Sequence, residues 1–180
     1  MNKKVPNEAL NRLTEKEFKN AAKTPVVVVL DNVRSAQNVG SVFRTSDAFR
    51  LEKICLCGIT PTPPSREMNK TALGATESVD WEYFADTISC LDILFEQGFE
   101  CIAVEQTENS EKLGDFKIES EKKYALILGN EVDGVDQEVI DRCPKSLEIP
   151  QIGTKHSINI SVCTGITIWE FYRQIKTEGS

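Results

Sequence analysis

Apolar residues recur along the chain in two alternating patterns. Short continuous runs, such as residues 26–30 and 125–128, are typical of strands that are buried on both faces of a sheet. Between these runs, apolar residues return every three or four positions, as Val39, Val42 and Phe43 do, which predicts amphipathic helices. The alternation of strands and helices predicts an α/β fold in which a mostly parallel sheet carries helices on both faces.

Glycine and capping residues set several bounds of the predicted elements. Gly74 and Gly98 end two helices, and Asp86 caps the second of them. The predicted strands are 26–30, 53–57, 79–84, 99–104, 125–128 and 147–149. The predicted helices are 8–22, one that follows the polar loop 31–37, 68–73, one between Asp86 and Gly98, 136–142 and 157–176. Residues 108–123 are polar and show no clear periodicity.

The apolar residues of the first and last helices have the spacing of one helix face, which predicts the side of each helix that faces the core. The residues of the first helix that we expect to face inward are Leu10, Leu13 and Phe18. The inner stripe that we expect on the last helix consists of Val162, Ile166, Trp169 and Tyr172.

Length and composition indicate one soluble domain. The chain has 180 residues, of which 40% are hydrophobic and 27% are charged. Its longest aliphatic run, residues 26–30, is far too short to span a bilayer, and its lysine-bearing start lacks the apolar core of a secretory signal. The six cysteines show no CxxC spacing, so in the cytoplasmic protein that we expect they are most simply buried free thiols, and we expect no metal site.

Charge is distributed unevenly over a chain whose net charge is −7. Residues 1–70 contain 12 Lys and Arg against 7 Asp and Glu, whereas residues 71–180 contain 9 against 21. A polyanion such as RNA would therefore meet the first part of the chain. The candidate RNA-binding residues are Arg34, Arg50, Lys53, Arg66 and Lys70. Composition alone equally allows an ordinary scatter of surface charge.

Three polar segments interrupt the regular pattern, and the first comprises residues 31–44. It follows a predicted buried strand, so it lies at the carboxyl edge of the sheet, where open α/β sheets bind ligands. Asn38, Gly40 and Arg44 share this strand-to-helix crossing. Taken singly, Asn38 fits a helix cap, Gly40 a packing residue and Arg44 a solvated charge. Their combination at one crossing instead indicates a functional site.

The second and third polar segments also follow strands. Residues 126–136 form a glycine turn from which Glu131 projects, and the turn lacks the Lys-Ser/Thr pair of a phosphate loop. Residues 149–171 run through a glycine-broken loop into a helix that opens on Ser157 and Asn159. Such a loop and helix start leave backbone groups free to bind a ligand.

The three segments carry motifs in a fixed order. The first segment contains Asn32, Arg34, Asn38, Gly40 and Arg44. The second contains Gly129, Glu131 and Gly134. The third contains Ile149, Pro150, Gly153, Ser157, Ile158, Asn159, Ile160 and Ser161. In this order they resemble the motifs of the SpoU/TrmH family of RNA ribose 2′-O-methyltransferases, in the SPOUT superfamily, and the resemblance covers the chain from about residue 24 onward.

The resemblance implies a fold, a cofactor and an assembly. The fold is a deep trefoil knot, in which the C-terminal segment passes through a loop and forms the cofactor pocket. The cofactor is S-adenosylmethionine, and the expected cofactor-binding residues are Glu105, Gln106, Leu128, Gly129, Ile149, Gly153 and Ile158. The assembly is a homodimer with its active site at the subunit interface, which Trp169 or Phe171 helps to bury. Residues 1–24 are then a short N-terminal helical extension, and residues 25–180 are the methyltransferase domain.

The resemblance also implies a reaction. A methyl group would pass from S-adenosylmethionine to a ribose 2′-hydroxyl of tRNA or rRNA, with a tRNA guanosine favoured because a compact RNA can be recognised by its shape. Arg44 would stabilise the developing alkoxide, since guanidinium scarcely loses its proton. The expected catalytic residues are Arg44, Asn38, Glu131, Ser157 and Asn159. Two other interpretations stay open: a knotted RNA-binding module without activity, and a methyltransferase that acts on a base.

Overall fold

Seven parallel strands form the centre of the molecule. The computed structural model describes residues 2–178, and its strands form one sheet in the order β3-β2-β1-β6-β4-β7-β5. Every neighbouring pair is parallel, which confirms the prediction of a mostly parallel sheet. The strands are β1 (Thr24–Asp31), β2 (Leu51–Cys57), β3 (Trp81–Phe84), β4 (Phe99–Val104), β5 (Glu111–Lys112), β6 (Lys123–Leu128) and β7 (Lys145–Glu148).

Helices connect most of the strands, and none of those within residues 2–178 is both long enough and apolar enough to cross a membrane. The helices are α1 (Glu15–Asn20), α2 (Ala36–Ala48), α3 (Arg66–Ala72), α4 (Ala75–Ser78), α5 (Thr87–Glu96), α6 (Gln137–Arg142) and α7 (Ile160–Glu178).

The sheet separates two hydrophobic cores, and its inner strand β1 contributes side chains to both. Val26, Val28 and Leu30 point to one side, where α2, α3 and α7 cover the sheet. Val27 and Val29 point to the other side, where α5 and α6 cover it. Because side chains alternate along a strand, a continuous run of valines fits a strand with a core on each face. The prediction of helices on both faces is therefore confirmed.

A buried carboxylate anchors the carboxyl end of β1. Asp31 is 1% exposed. Its oxygens accept hydrogen bonds from the Thr87 hydroxyl at 2.6 Å, from the Asn32 amide at 3.0 Å and from the Asp136 backbone N–H at 2.9 Å. Thr87 and Asp136 lie at the starts of α5 and α6, so one carboxylate fixes both helices at the edge where the strands end.

The prediction of one helix over residues 8–22 is wrong. A 3-10 turn, Asn7–Leu10, and the short helix α1 are separated by Asn11, which has a left-handed φ of 46°. Thr14 begins α1 with a capping box: its hydroxyl accepts from the Glu17 N–H, while the Glu17 carboxylate accepts from the Thr14 N–H at 2.7 Å. The polar residues at this point therefore start a new helix instead of continuing the first.

Of the three side chains expected to face inward in this segment, only one is buried. Phe18 is buried in the core, whereas Leu10 and Leu13 are 40% and 47% exposed. The N-terminal segment is thus docked on the rest of the protein through Phe18. The division into an extension of residues 1–24 and a domain of residues 25–180 stays a prediction.

The inner stripe expected for the last helix is also wrong. α7 begins at Ile160, later than predicted. Val162, Ile166 and Trp169 are 51%, 39% and 51% exposed, so this face points outward. Tyr172, the fourth residue of the expected stripe, is only partly buried. The helix is rotated relative to the prediction.

Threonines occupy part of the buried face of α7. Thr164 and Thr167 are fully buried, as is Phe171. Their hydroxyls donate to carbonyl groups one turn earlier, Thr164 to Ile160 at 2.7 Å and Thr167 to Cys163 at 2.9 Å. Because the polar atoms are satisfied within the helix, the rest of each threonine side chain can face the core.

The cysteines are free thiols, as predicted. Cys55, Cys57, Cys90 and Cys101 are buried, and the remaining two are partly buried. Cys55 and Cys57 share the core that α5 and α6 cover. Burial raises the pKa of Cys101 to about 12, so this thiol stays protonated at neutral pH.

Gly40→Ala tests the contact between α2 and α3. A methyl group at this position would overlap the backbone carbonyl of Met68 and the side chain of Thr71. We expect the free energy of unfolding to fall by about 1–3 kcal/mol, measured by urea denaturation. Gly114→Ala is the matched control, since a methyl group there meets no atom within 4 Å, and it should change that free energy by less than about 0.5 kcal/mol. Equal effects of the two changes would contradict this account of the contact.

Candidate functional site

The loop between β6 and α6 folds back on itself at the sheet edge. Asn130 and Gly134 exchange two backbone hydrogen bonds of 3.1 Å. The Asn130 side chain accepts from the N–H groups of Val132 and Asp133 at 2.9 Å each. Gly134 has a φ of 71°, a left-handed conformation that favours glycine. This turn presents Glu131 to the segments on either side.

Glu105, which follows β4, holds the turn in place. Its carboxylate accepts from the Val135 N–H at 3.1 Å and from the Gln106 N–H at 2.9 Å. A methyl group at Gly134 would overlap this carboxylate, so the glycine makes room for it. Glu105 therefore positions the turn. The sequence predicted only a contact with the cofactor for this residue.

One side-chain amide joins the three polar segments. Asn38 Nδ2 donates to Glu131 Oε1 at 2.9 Å, and Asn38 Oδ1 accepts from Asn159 Nδ2 at 3.3 Å. Asn159 Oδ1 in turn accepts from the Ser161 N–H at 2.9 Å and from the Ser161 hydroxyl at 2.7 Å, which caps the start of α7. The structure thus brings together three residues that the sequence predicts as catalytic, although Asn38 and Asn159 are 121 positions apart.

These contacts also set the charge of Glu131. Burial acts to raise the pKa of Glu131, but the hydrogen bonds from the Asn38 side chain and from backbone groups, including those of Arg34 and Ser35, outweigh it and lower the pKa below 4.5. Glu131 is therefore ionised at neutral pH. A carboxylate of this kind attracts cations and accepts hydrogen bonds.

The second and third segments line a cavity of about 460 Å³, the first cavity, at the carboxyl edge of the sheet. Six of the seven residues predicted to bind the cofactor line it: Glu105, Gln106, Leu128, Gly129, Ile149 and Ile158. Glu131, Ser157 and Asn159 line it as well. Gly153 does not, and a methyl group at that position would meet no atom within 4 Å.

Sequence reasoning missed several lining residues. Val104 and Leu147 contribute apolar surface because they lie opposite each other near the ends of β4 and β7. Parallel strands end at one edge, so Val104, the last apolar residue of the predicted strand 99–104, could have been found from this signal, whereas Leu147 begins the predicted strand 147–149 and could not. The described lining residues include no Lys or Arg, whereas they include four carboxylates, those of Glu105, Glu131, Asp133 and Glu148.

Arg44 lies outside the first cavity of its own chain. Asn38 is in the first turn of α2, and Arg44 lies further along this helix, where its side chain is exposed. Arg44 lines a second cavity, of about 720 Å³, between α2 and the N-terminal segment. The residues predicted as catalytic are therefore not all assembled within one chain.

Three of the predicted RNA-binding residues lie on segments that begin at the carboxyl edge of the sheet. Arg34 follows β1, and its guanidinium is 4.0 Å from the Asp133 carboxylate. Arg66 and Lys70 are exposed on α3, which packs on α2. Their contact with RNA stays a prediction.

The other two predicted RNA-binding residues lie elsewhere. Lys53 is in the first half of β2, where its ammonium pairs with the Glu82 carboxylate at 3.0 Å and 17% of the lysine side chain is exposed. Arg50 precedes β2 and lines the second cavity. The five predicted residues therefore do not form one surface.

Comparison with known proteins identifies the family. The model of the SpoU rRNA Methylase family matches residues 25–169. The chain belongs to this family. A Staphylococcus epidermidis protein assigned to the TrmH family of tRNA/rRNA methyltransferases is 26% identical over 156 residues, which are 87% of this chain and 61% of the relative. The chain thus spans about three fifths of the length of such curated relatives.

Several solved structures share the fold. The TrmH/SpoU tRNA modifying enzyme of A. aeolicus has a TM-score of 0.79 at 25% identity, covering 92% of this chain and 82% of that one. The AdoMet-bound rRNA methyltransferase of Sinorhizobium meliloti has a TM-score of 0.78 at 27% identity, covering 88% and 60%. A structure concerning 2-OH methylation of C/U34 on tRNA has a TM-score of 0.75 at 25% identity, covering 86% and 99%.

Asn38→Ala tests the hydrogen bond between the first two segments. Loss of the amide donor should raise the pKa of Glu131 toward 4.5, because this bond favours the ionised carboxylate. An NMR titration of the side-chain carboxyl carbon measures this pKa. Asn159→Ala is the control, since it removes a contact to the Asn38 oxygen and should shift the pKa less. An unchanged pKa in Asn38→Ala would contradict the assigned hydrogen bond.

Proposed function

We propose that the protein is an S-adenosylmethionine-dependent RNA methyltransferase that acts on a ribose 2′-hydroxyl of tRNA or rRNA. The observation that carries the proposal is the contact of Asn38 with Glu131 and Asn159, which joins three family motifs beside one cavity. Relatives support its parts. The S. meliloti structure holds AdoMet, and another similar structure concerns 2-OH methylation on tRNA.

The first cavity fits S-adenosylmethionine. Its volume of about 460 Å³ is in the range of small-molecule sites. Leu128, Ile149 and Ile158 offer apolar walls for an adenine ring, and the backbone around Gly129 offers hydrogen-bonding groups. The acidic lining described above suits a positively charged sulfonium. When bound, S-adenosylmethionine supplies an electrophilic methyl group.

The residues predicted as catalytic then act on the ribose hydroxyl, which is a very weak acid. Arg44 stabilises the negative charge that develops on the 2′ oxygen as the hydroxyl proton passes to solvent and the methyl group leaves the sulfonium sulfur, because its guanidinium stays protonated and presents a fork of donors. Asn38 and Glu131 orient the ribose. Ser157 and Asn159 shape the methionine end of the cavity.

This chemistry needs two copies of the chain, because Arg44 lines the second cavity and not the first. In a homodimer, Arg44 of one protomer acts at the first cavity of the other. The outward face of α7, with Val162, Ile166 and Trp169, provides an apolar surface for the subunit contact. Phe171 does not take part, since it is fully buried in the core of its own chain.

We further propose that the C-terminal segment forms the deep trefoil knot. β7 lies between β4 and β5 in the sheet, although β5 precedes it in the chain. The connection between β4 and β6 also binds α7: Gln174 donates to the Phe116 carbonyl at 3.0 Å and accepts from the Ile118 N–H at 3.1 Å. These contacts support the passage of the C-terminal segment through this connection.

S-adenosylmethionine labelled in its methyl group tests the proposed reaction. The protein is incubated separately with unfractionated tRNA and with purified rRNA, and the labelled nucleosides are identified after digestion. We expect label on a ribose 2′ oxygen, in tRNA before rRNA, since a compact RNA can be recognised by shape. Label on a base, or binding of RNA without label, would contradict the proposal and favour a base methyltransferase or a binding module.

Arg44→Ala tests the assigned role of this arginine. It should leave the thermal melt and the cofactor affinity unchanged, because the side chain is exposed outside the first cavity. It should lower methyl transfer by about a hundredfold or more at saturating cofactor. Arg44→Lys should recover little, since an ammonium lacks the planar fork. Arg142→Ala, at an exposed arginine on α6, is the control and should keep the wild-type rate. Wild-type turnover in Arg44→Ala would exclude the role.

A further inference from the structure

The second cavity has no role in the chemistry proposed so far beyond holding Arg44. It lies between the N-terminal segment, the second half of α2 and the junction of α3 with α4. Its volume of about 720 Å³ exceeds that of the first cavity. A space of this size has room for a nucleotide-sized group.

Three arginines give the second cavity a positive character. Arg12, Arg44 and Arg50 all line it. Within residues 2–178, none of their guanidinium groups forms an ion pair or a side-chain hydrogen bond. The two carboxylates that line it are both engaged: Glu15 pairs with Lys19 at 3.3 Å, and Asp47 accepts a hydrogen bond from the Ser78 hydroxyl. The cavity therefore offers an anion three positively charged groups that can also donate hydrogen bonds.

The same cavity also has an apolar wall. Leu10 and Leu13 of the N-terminal segment and Leu73 of the α3–α4 junction line it. All three are exposed, Leu73 by 64%. Guanidinium groups beside exposed leucines match the chemistry of a nucleotide, whose phosphate is anionic and whose base has apolar faces.

The N-terminal segment that carries Arg12 is held firmly against the protein. Phe18 is buried, and the Lys23 ammonium lies 3.6 Å from the centre of its ring while donating to the Phe18 carbonyl at 2.7 Å. The capping box of Thr14 fixes the start of α1. Arg12 is thus positioned at the cavity by anchored structure on its C-terminal side.

We infer that the second cavity binds the RNA strand next to the nucleotide whose ribose is methylated. Arg12 and Arg50 contact phosphates of that strand, and the exposed leucines contact a neighbouring base. The inference rests on the proposed function, because Arg44 lies in this cavity and acts on the ribose. It assigns the N-terminal segment to RNA recognition.

Arg12→Glu and Lys16→Glu form a matched pair that tests the inference. Both reverse one exposed charge in the same segment, but only Arg12 lines the second cavity. RNA affinity is measured by filter binding with unfractionated tRNA and with purified rRNA at several salt concentrations. Arg12→Glu should weaken binding about tenfold or more and reduce the salt slope by about one, as expected for a lost phosphate contact. Lys16→Glu should stay close to the wild type.

Arg50→Gln supplies a second variant from a different part of the chain. It removes a charge at the same cavity and should also weaken RNA binding. In both cavity variants the KM for RNA should rise while kcat changes little, and calorimetry should find the wild-type affinity for S-adenosylmethionine. Thermal melts show whether each variant is folded.

The possible outcomes separate this inference from the proposed function. Weaker RNA binding in both cavity variants, with Lys16→Glu unaffected, supports the inference. Equal RNA affinity in Arg12→Glu, Arg50→Gln and Lys16→Glu would overturn it, even if the wild type methylates RNA. A wild type that transfers no methyl group, but binds RNA through Arg12 and Arg50, would refute the proposed reaction and leave the RNA-binding assignment standing.

Discussion

The side-chain amide of Asn38 is the contact on which the candidate site depends. An amide can donate and accept at the same time, so Asn38 binds the Glu131 carboxylate through its nitrogen and the Asn159 amide through its oxygen. No carboxylate or ammonium group could make both contacts. The turn that carries Glu131 is held by Glu105, and Asn159 caps α7. One hydrogen-bonded set therefore aligns the carboxyl ends of three parallel strands around the first cavity.

Charge explains why the first cavity alone is insufficient for the proposed RNA reaction. Its described lining has four carboxylates and no Lys or Arg, which favours a cationic cofactor and repels phosphates. The second cavity has the opposite character, with three arginines that lack partners among the described residues. A dimer that joins the two cavities of different protomers would bring the cofactor and the RNA strand together while keeping the two charge environments apart. This arrangement would also reconcile an acidic chain with the anionic substrate that we propose.

The sequence correctly predicted features that depend on where the parallel strands end. Its predictions were wrong where polar side chains form hydrogen bonds within their own helix. β1 and the grouping of Asn38 with Glu131 were predictable, because parallel strands deliver their following loops to one edge. The orientation of α7 was not predictable. Threonines are polar residues and so indicate an exposed face, but the hydroxyls of the buried threonines donate to carbonyls within the helix, which allows these side chains to face the core. The separation of Arg44 from the first cavity was not predictable either. It depends on the direction of α2, which places Asn38 beside Glu131 in its first turn and carries Arg44 to the second cavity.

A mixed dimer tests the central claim that the active site is shared between two protomers. One protomer carries Arg44→Ala, and the other carries Ile158→Glu, which places a charge in the apolar wall of the first cavity. Each variant alone should be inactive. The purified mixed dimer should recover about half of the wild-type rate, since one of its two sites combines an intact cavity with an intact Arg44. A mixed dimer as inactive as its parents, with normal melts and normal assembly, would contradict the shared site.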